Sequence, residues 1–469
     1  MNLPGLSCTG QSSITPAAVD LRPETEWRFE VGLDSIVTVK VLQGHAEIFG
    51  TELAVGPTYT FTTTKLSIFT WRGCRFEWSG DPLAEYISEE SVMGSYANLH
   101  FALEKLRMQA AEKDTQYNKE VIKEVDIITS GSGQEGEGPR VLIIGPRNSG
   151  KTTLAKILTA YAVKMNRCPM VVSLDPKEGM LSLPGTISAA SFSTMMDIEE
   201  EESWGSSATT GPMHIPPKNP AVYYFGSDSP TDNIRFYKSL VSRLSLAISS
   251  RLAVDHKARI SGCIIDAAGI IDQKEGYDLI DAIVADLSVD VVVTIGNERL
   301  YNDLLKRYQP RKQIAVLKVQ RSGGVVEHDA SYMRSIQRQM IKQYFYGPPK
   351  TALSAFTITA DISAMTVYKR SEQSHLVSSS ALPIGSDETT AMLSLVTKIE
   401  VSPALQNAIL AVLYASPGDT EDDIAEASVM GFVHVLDIDE VKKKLKVLMP
   451  IKARLPSQVY LVGSYHYLE

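Results

Sequence analysis

The run Val141-Leu142-Ile143-Ile144-Gly145-Pro146-Arg147-Asn148-Ser149-Gly150-Lys151-Thr152-Thr153 decides the architecture of this chain. Four consecutive apolar residues read as a strand covered on both faces. Gly145 to Thr152 then satisfies G-x-x-x-x-G-K-[ST], and residues 152–166 continue with a helical pattern. In such a strand–loop–helix the glycines let the backbone curl, so that successive N–H groups and the positive end of the helix dipole face phosphate oxygens. Lys151 would reach the β/γ-phosphates and the Thr152 hydroxyl would hold magnesium. A ligand-free Gly-rich turn is the plain alternative, and the confirming context on both sides weighs against it.

Outward from this motif, apolar runs at 170–174, 263–265, 289–295 and 314–318 alternate with helical patterns. Continuous apolar strands separated by helices predict a parallel sheet with helices on both faces. Upstream, residues 26–87 show short alternating runs with turns between them, Val37, Val39 and Val41 facing one way, which predicts a small all-β domain. Leu99, Leu103, Leu106 and Ala110 form one helical stripe, and a Gly/Ser-rich stretch at 130–139 follows. The expected organisation is an N-terminal β domain (1–98), a connecting helix and linker (99–138), a central P-loop domain (139–347) and a small C-terminal domain (348–469). The fold class is α/β.

The 469 residues allow about three domains. With 44% hydrophobic and 22% charged residues the composition is that of a packed globular protein. Lys plus Arg 46 against Asp plus Glu 55 gives a net charge of −9, which excludes attraction to nucleic acid over the whole surface. Cys8, Cys74, Cys168 and Cys263 lack the paired spacing of zinc sites or disulfide frameworks, so a reducing compartment is expected. There is no signal-peptide pattern at the start and no apolar run of about eighteen residues, so neither secretion nor a membrane span is expected. The acidic run 199–202 reads as a solvated loop.

Phosphoryl transfer needs a further acid near the magnesium. Asp266, ending the run 263–265, has the position of a Walker B acid, and Asp175 is the other candidate. Either could equally cap a helix after a strand. No Asn-Lys-x-Asp guanine-reading pattern is present.

With the cradle placed, other segments become recognisable: Glu24-Thr25-Glu26-Trp27-Arg28-Phe29-Glu30, Ala46-Glu47-Ile48-Phe49-Gly50-Thr51-Glu52-Leu53, Leu183-Pro184-Gly185-Thr186, Ser322-Gly323-Gly324-Val325-Val326 and Tyr344-Phe345-Tyr346-Gly347. Through them nearly the whole chain resembles the Clp family of polynucleotide 5′-hydroxyl kinase relatives, and within it the fungal-type Clp subunit of mRNA cleavage and polyadenylation factor IA. The resemblance implies an N-terminal β domain, a central P-loop domain and a C-terminal α/β domain, with ATP and Mg2+ as cofactors and ATP held between the first two domains. It implies that Glu26 and Lys65 contact the nucleotide beyond its phosphates, and that Asn148 to Thr153 match the nucleotide-contacting segment. It also implies a nuclear location, a scaffold subunit of cleavage factor IA that binds the RNA polymerase II C-terminal domain as main partner, and further cleavage and polyadenylation subunits around it.

The departures from active relatives fall on transfer chemistry. Their acid-x-Asp-x-Gly-Gln motif is here Ser173-Leu174-Asp175-Pro176-Lys177-Glu178. Their base-stacking tryptophan falls on Ile270, which loses a platform worth ~1–3 kcal/mol per base. Their phosphate-clamping arginines fall on Met333 and Gln337, and the stripe Arg334, Arg338, Lys342 would replace them only through a register shift. Together these favour a non-catalytic ATP-binding assembly subunit with indirect or weak RNA contact. The competing reading is an active ATP-dependent RNA 5′-hydroxyl kinase working through Lys151, Thr152 and Asp175; an ATPase motor would need a water-positioning residue that the sequence does not offer.

Overall fold

The structure is a computed structural model that describes residues 16–33, 35–121, 136–199, 204, 220–269, 274–311, 313–347, 352–371 and 394–468. Cys8, Ile270, residues 130–135 of the Gly/Ser-rich stretch and residues 200–202 of the acidic run lie outside the described residues. Two compact units emerge, Met1–Met93 with Ile198–Ser203, and Gly94–Asp197 with Trp204–Glu469.

In the first unit the period-2 alternation becomes two antiparallel sheets. One has the order Ala17–Leu21, Cys74–Gly80, Ile36–Gly44, Thr58–Thr62, and the other Thr51–Leu53, Ala46–Ile48, Lys65–Thr70, Thr25–Glu30, Ala84–Ser88. Val37, Val39 and Val41 all point inward, joining Trp27, Phe29, Phe61 and Phe76 in one core. The buried Trp27 indole stays satisfied by donating to Glu85 Oε2 at 2.6 Å. Ile198 belongs to this core, and Glu199 Oε1 accepts the backbone N–H of Thr60 at 2.7 Å. The expected solvated acidic loop is thus corrected at its first residue, which terminates an unpaired N–H on the edge strand Thr58–Thr62.

The helix Met93–Val121 is longer than its sequence pattern suggested and packs within the second unit. Leu99, Leu103 and Ala110 are buried, but Leu106 is exposed and Arg107 takes its place on the buried stripe. At 3.6 residues per turn, position 107 follows 103 more closely than 106 does. The Arg107 guanidinium tolerates this because its Nε donates to the Ser261 carbonyl at 2.9 Å and Glu104 lies 3.5 Å away.

The central sheet has the order Ala221–Tyr224, Thr186–Ser191, Met170–Ser173, Cys263–Asp266, Arg140–Ile144, Val291–Ile295, Ala315–Val319. The last five are parallel, and Thr186–Ser191 alone runs against them, pairing antiparallel with Met170–Ser173 on one side and Ala221–Tyr224 on the other, so the sheet is mixed where a parallel one was expected. Along Arg140–Ile144 side chains alternate between faces, yet every one is buried, as a sheet covered on both sides requires.

The C-terminal sheet has the order Phe356–Asp361, Lys444–Met449, Val429–Asp439, Ala408–Leu413, Val459–His466, Thr366–Arg370, Val396–Ile399. Ile409, Ala411 and Leu413 pack into the core of the central sheet, whereas Ala408, Leu410 and Val412 face a separate cluster. This module is a β-sheet with the single short α-helix Glu421–Ala425 among its described residues, not the α/β domain that the resemblance implied.

Candidate functional site

The strand Arg140–Ile144 lies centrally, and its carboxyl end opens into the loop Gly145–Gly150 and the helix Lys151–Lys164. Asn148 and Gly150 take φ values of 51° and 86°, the left-handed region that asparagine tolerates and glycine enters freely. Gly145 is needed for space, since a Cβ there would lie 2.6 Å from Ser149 Oγ. Lys151 Nζ is buried and donates to the Pro146 carbonyl at 2.9 Å, closing the loop on itself. Ser149 Oγ is buried without a hydrogen-bond partner, and Thr153, half-buried, continues the first helical turn.

Asp266 ends the strand between Arg140–Ile144 and Met170–Ser173, in register with Ile143 and Ser173. Its Oδ2 lies 2.6 Å from Thr152 Oγ1, and Glu178 Oε2 lies 2.9 Å from the same hydroxyl. One hydroxyl proton cannot fully serve two carboxylates, so this hydrogen bond is shared or one acid carries a proton. Burial and then the Glu178 charge raise Asp266 above the usual carboxylate range; Asp175 is raised by the same two causes, with Lys151 opposing. Asp175 Oδ1 accepts the Lys177 N–H at 3.0 Å, shaping the turn that carries Glu178. Tyr237 fixes the start of this turn by donating to the Leu174 carbonyl.

Among the described residues no group of three or more His, Cys, Asp or Glu side chains is arranged to hold a metal ion unaided. Magnesium does not ask for one: it takes one or two carboxylates and completes its shell with phosphate oxygens and water. Thr152 and Asp266, whose Oδ1 is buried without a partner, fit that role.

The structure thus brings Gly145, Asn148, Ser149, Gly150, Lys151, Thr152, Thr153, Asp175 and Asp266 into one unit. Glu26 and Lys65 belong to the other, where Glu26 Oε1 accepts from Arg28 Nη2 at 2.9 Å and Lys65 pairs with Glu30 at 3.0 Å. Glu178 was missed as a site residue; its signal was the spacing of two acids on one turn after a strand. On the helix Ala330–Tyr346, Met333, Gln337 and Ile341 are buried while Arg334, Arg338 and Lys342 are exposed. One residue is about 100° around a helix, so the basic stripe lies off the packed face that carries Met333 and Gln337.

Family models match three stretches: the N-terminal beta-sandwich domain of polyadenylation factor at 20–110, the mRNA cleavage and polyadenylation factor CLP1 P-loop at 145–347, and Pre-mRNA cleavage complex II protein Clp1 at 353–469. The chain is 44% identical to mRNA cleavage and polyadenylation factor clp1 of Botryotinia fuckeliana, over 99% of this chain and 98% of the relative. It is 39% identical to the corresponding factor of Phaeosphaeria nodorum at the same coverage. Among solved structures, the wild-type Clp1p–Pcf11p complex aligns with a TM-score of 0.82 and 29% identity, covering 97% of this chain and 98% of that one. A second, described as an extended Pcf11p–Clp1p interface and the structural basis for ATP loss in a point mutant, aligns with the same score and identity, covering 97% of this chain and 99% of that one.

Proposed function

The chain belongs to the family of mRNA cleavage and polyadenylation factor CLP1, and from that premise we propose that it is an ATP-binding, non-catalytic assembly subunit of the nuclear machinery that cleaves and polyadenylates pre-mRNA. The observation that carries this reading is one of contrast. Lys151, Thr152 and Asp266 lie together as a phosphate and magnesium cradle would require, while the packed face of the helix Ala330–Tyr346 offers Met333 and Gln337 and no cation. A missing transition-state arginine costs about a thousandfold or more in phosphoryl transfer.

ATP in this reading acts by linkage: a ligand that binds one arrangement of the chain raises its population, and with it the surface that the partner meets. The partner is the counterpart of Pcf11p, the protein with which the relative of known structure forms a complex, acting as the scaffold that reads the RNA polymerase II C-terminal domain. The description of a relative that joins the partner interface with ATP loss supports a tie between nucleotide and partner. Other cleavage and polyadenylation subunits gather on the same scaffold, and contact with RNA is indirect or weak.

The test is co-precipitation of the partner by wild-type chain and by Lys151→Ala, alongside transfer of labelled γ-phosphate to a 5′-hydroxyl oligoribonucleotide. The expected result is partner capture that falls with the loss of ATP, and no labelled RNA. Transfer abolished by Lys151→Ala would establish the kinase reading instead.

A further inference from the structure

Within the second unit a polar route joins the last strand of the chain to the acidic turn beside the cradle. Tyr465, on the strand Val459–His466, donates its hydroxyl to Asp228 Oδ1. The same oxygen accepts from Gln337 Nε2 at 3.0 Å, and Gln337 Nε2 also donates to the Lys177 carbonyl at 3.1 Å. The Lys177 N–H is held by Asp175 at 3.0 Å, so this residue is tied at both its amide and its carbonyl. The next residue is Glu178, whose carboxylate meets the Thr152 hydroxyl at 2.9 Å.

The surroundings leave little slack. Gln337 and Tyr465 are buried, at 7% and 9% exposure. A Cβ on Gly185 would lie 2.5 Å from Tyr465 Cε2, and Ser464 N–H donates to the Gly226 carbonyl at 2.8 Å, two residues before Asp228. The helix that carries Gln337 is fixed further on, where Tyr344 Oη accepts the Phe432 N–H at 2.9 Å.

We propose that Tyr465, Asp228 and Gln337 are positioning residues that aim the Glu178 carboxylate at Thr152, so that the C-terminal strand sets how strongly nucleotide binding depends on magnesium. This rests on the ATP and magnesium reading above. A carboxylate held there attracts a divalent cation and repels bare triphosphate, so its correct placement widens the gap between the two affinities. Where an arginine would have reached for phosphate, Gln337 acts on the protein's own backbone.

The experiment uses the full chain and ATP as probe, with Mg2+ or with EDTA, and compares wild type with Tyr465→Phe, Gln337→Leu and Glu178→Gln. The readouts are the ratio of the two dissociation constants and amide exchange across residues 175–179. The ratio should shrink about tenfold for Glu178→Gln, several-fold for Gln337→Leu and two- to threefold for Tyr465→Phe. Exchange at 177 and 178 should quicken in the latter two. Tyr465→Phe removes one oxygen from a packed ring, which keeps the test open if Gln337→Leu fails to fold. An unchanged ratio with unchanged exchange overturns the proposal, as does an equal loss of both affinities. If wild-type chain binds no ATP the nucleotide reading fails, and exchange alone then decides whether the network positions the turn.

Discussion

Two loops leave carboxyl ends of the same sheet and are built on opposite principles. Gly145–Gly150 spends its residues on backbone freedom: φ of 51° at Asn148 and 86° at Gly150, no room for a Cβ at Gly145, and an ammonium and a hydroxyl directed from the start of the helix Lys151–Lys164. The turn Asp175 to Glu178 spends its residues on side chains and is fastened down, with Lys177 held by Asp175 on one side and Gln337 on the other. The first loop is shaped to receive an anion. The second presents acids, and the helix packed beside it supplies an amide and a thioether. On the proposed reading such a pair grips a nucleotide, while Met333 and Gln337 on the packed helix face bring no positive charge to a leaving phosphoryl group.

Breaking the receiving loop should have the largest effect. Lys151→Ala removes a charge-assisted contact worth about 3 kcal/mol, so ATP affinity by calorimetry should fall on the order of a hundredfold. Gly150→Ala is gentler: a Cβ forced into φ 86°, 3.2 Å from Val325 Cγ2, costs about 1–2 kcal/mol and should weaken ATP roughly tenfold with the fold intact by circular dichroism.

The smallest effect concerns the support behind the cradle helix. His100 packs its ring 5.4 Å from Tyr161 of that helix, and burial, with Arg107 adding and Glu104 opposing, lowers it to about 4. In the unfolded chain the same group titrates near 6.5. Below that value the unfolded state takes up a proton that the folded state refuses, so this contribution is fully present above pH 6.5 and is lost as pH falls toward 4. His100→Phe should therefore lose less of its thermal midpoint between pH 7 and pH 5 than wild type does.

The receiving loop was legible in the sequence because it depends on backbone: only certain residues take these dihedrals, and their spacing is local. The fastening of the facing turn was not, because Gln337 meets Lys177 across 160 residues and Tyr465 meets Asp228 across 237. The same division holds for the fold. Apolar runs announced the five parallel strands, although Ala315–Val319 at the edge buries only Val319, but the small, half-polar segment Thr186-Ile187-Ser188-Ala189-Ala190-Ser191 gave no sign that it would pair antiparallel on both sides. Leu106 looked like a core residue until the helix phase placed Arg107 inward, with the Ser261 carbonyl and Glu104 to satisfy it.

The central claim is that the chain holds ATP and does not spend it. It is tested most directly by purifying the full chain without added nucleotide, identifying what it carries by chromatography after denaturation, and repeating this after incubation with magnesium and a 5′-hydroxyl RNA. Near-stoichiometric ATP, unchanged after incubation and absent from Lys151→Ala, is the predicted result. ADP with a phosphorylated RNA end, or a wild-type chain that carries no nucleotide and takes up none, would contradict it.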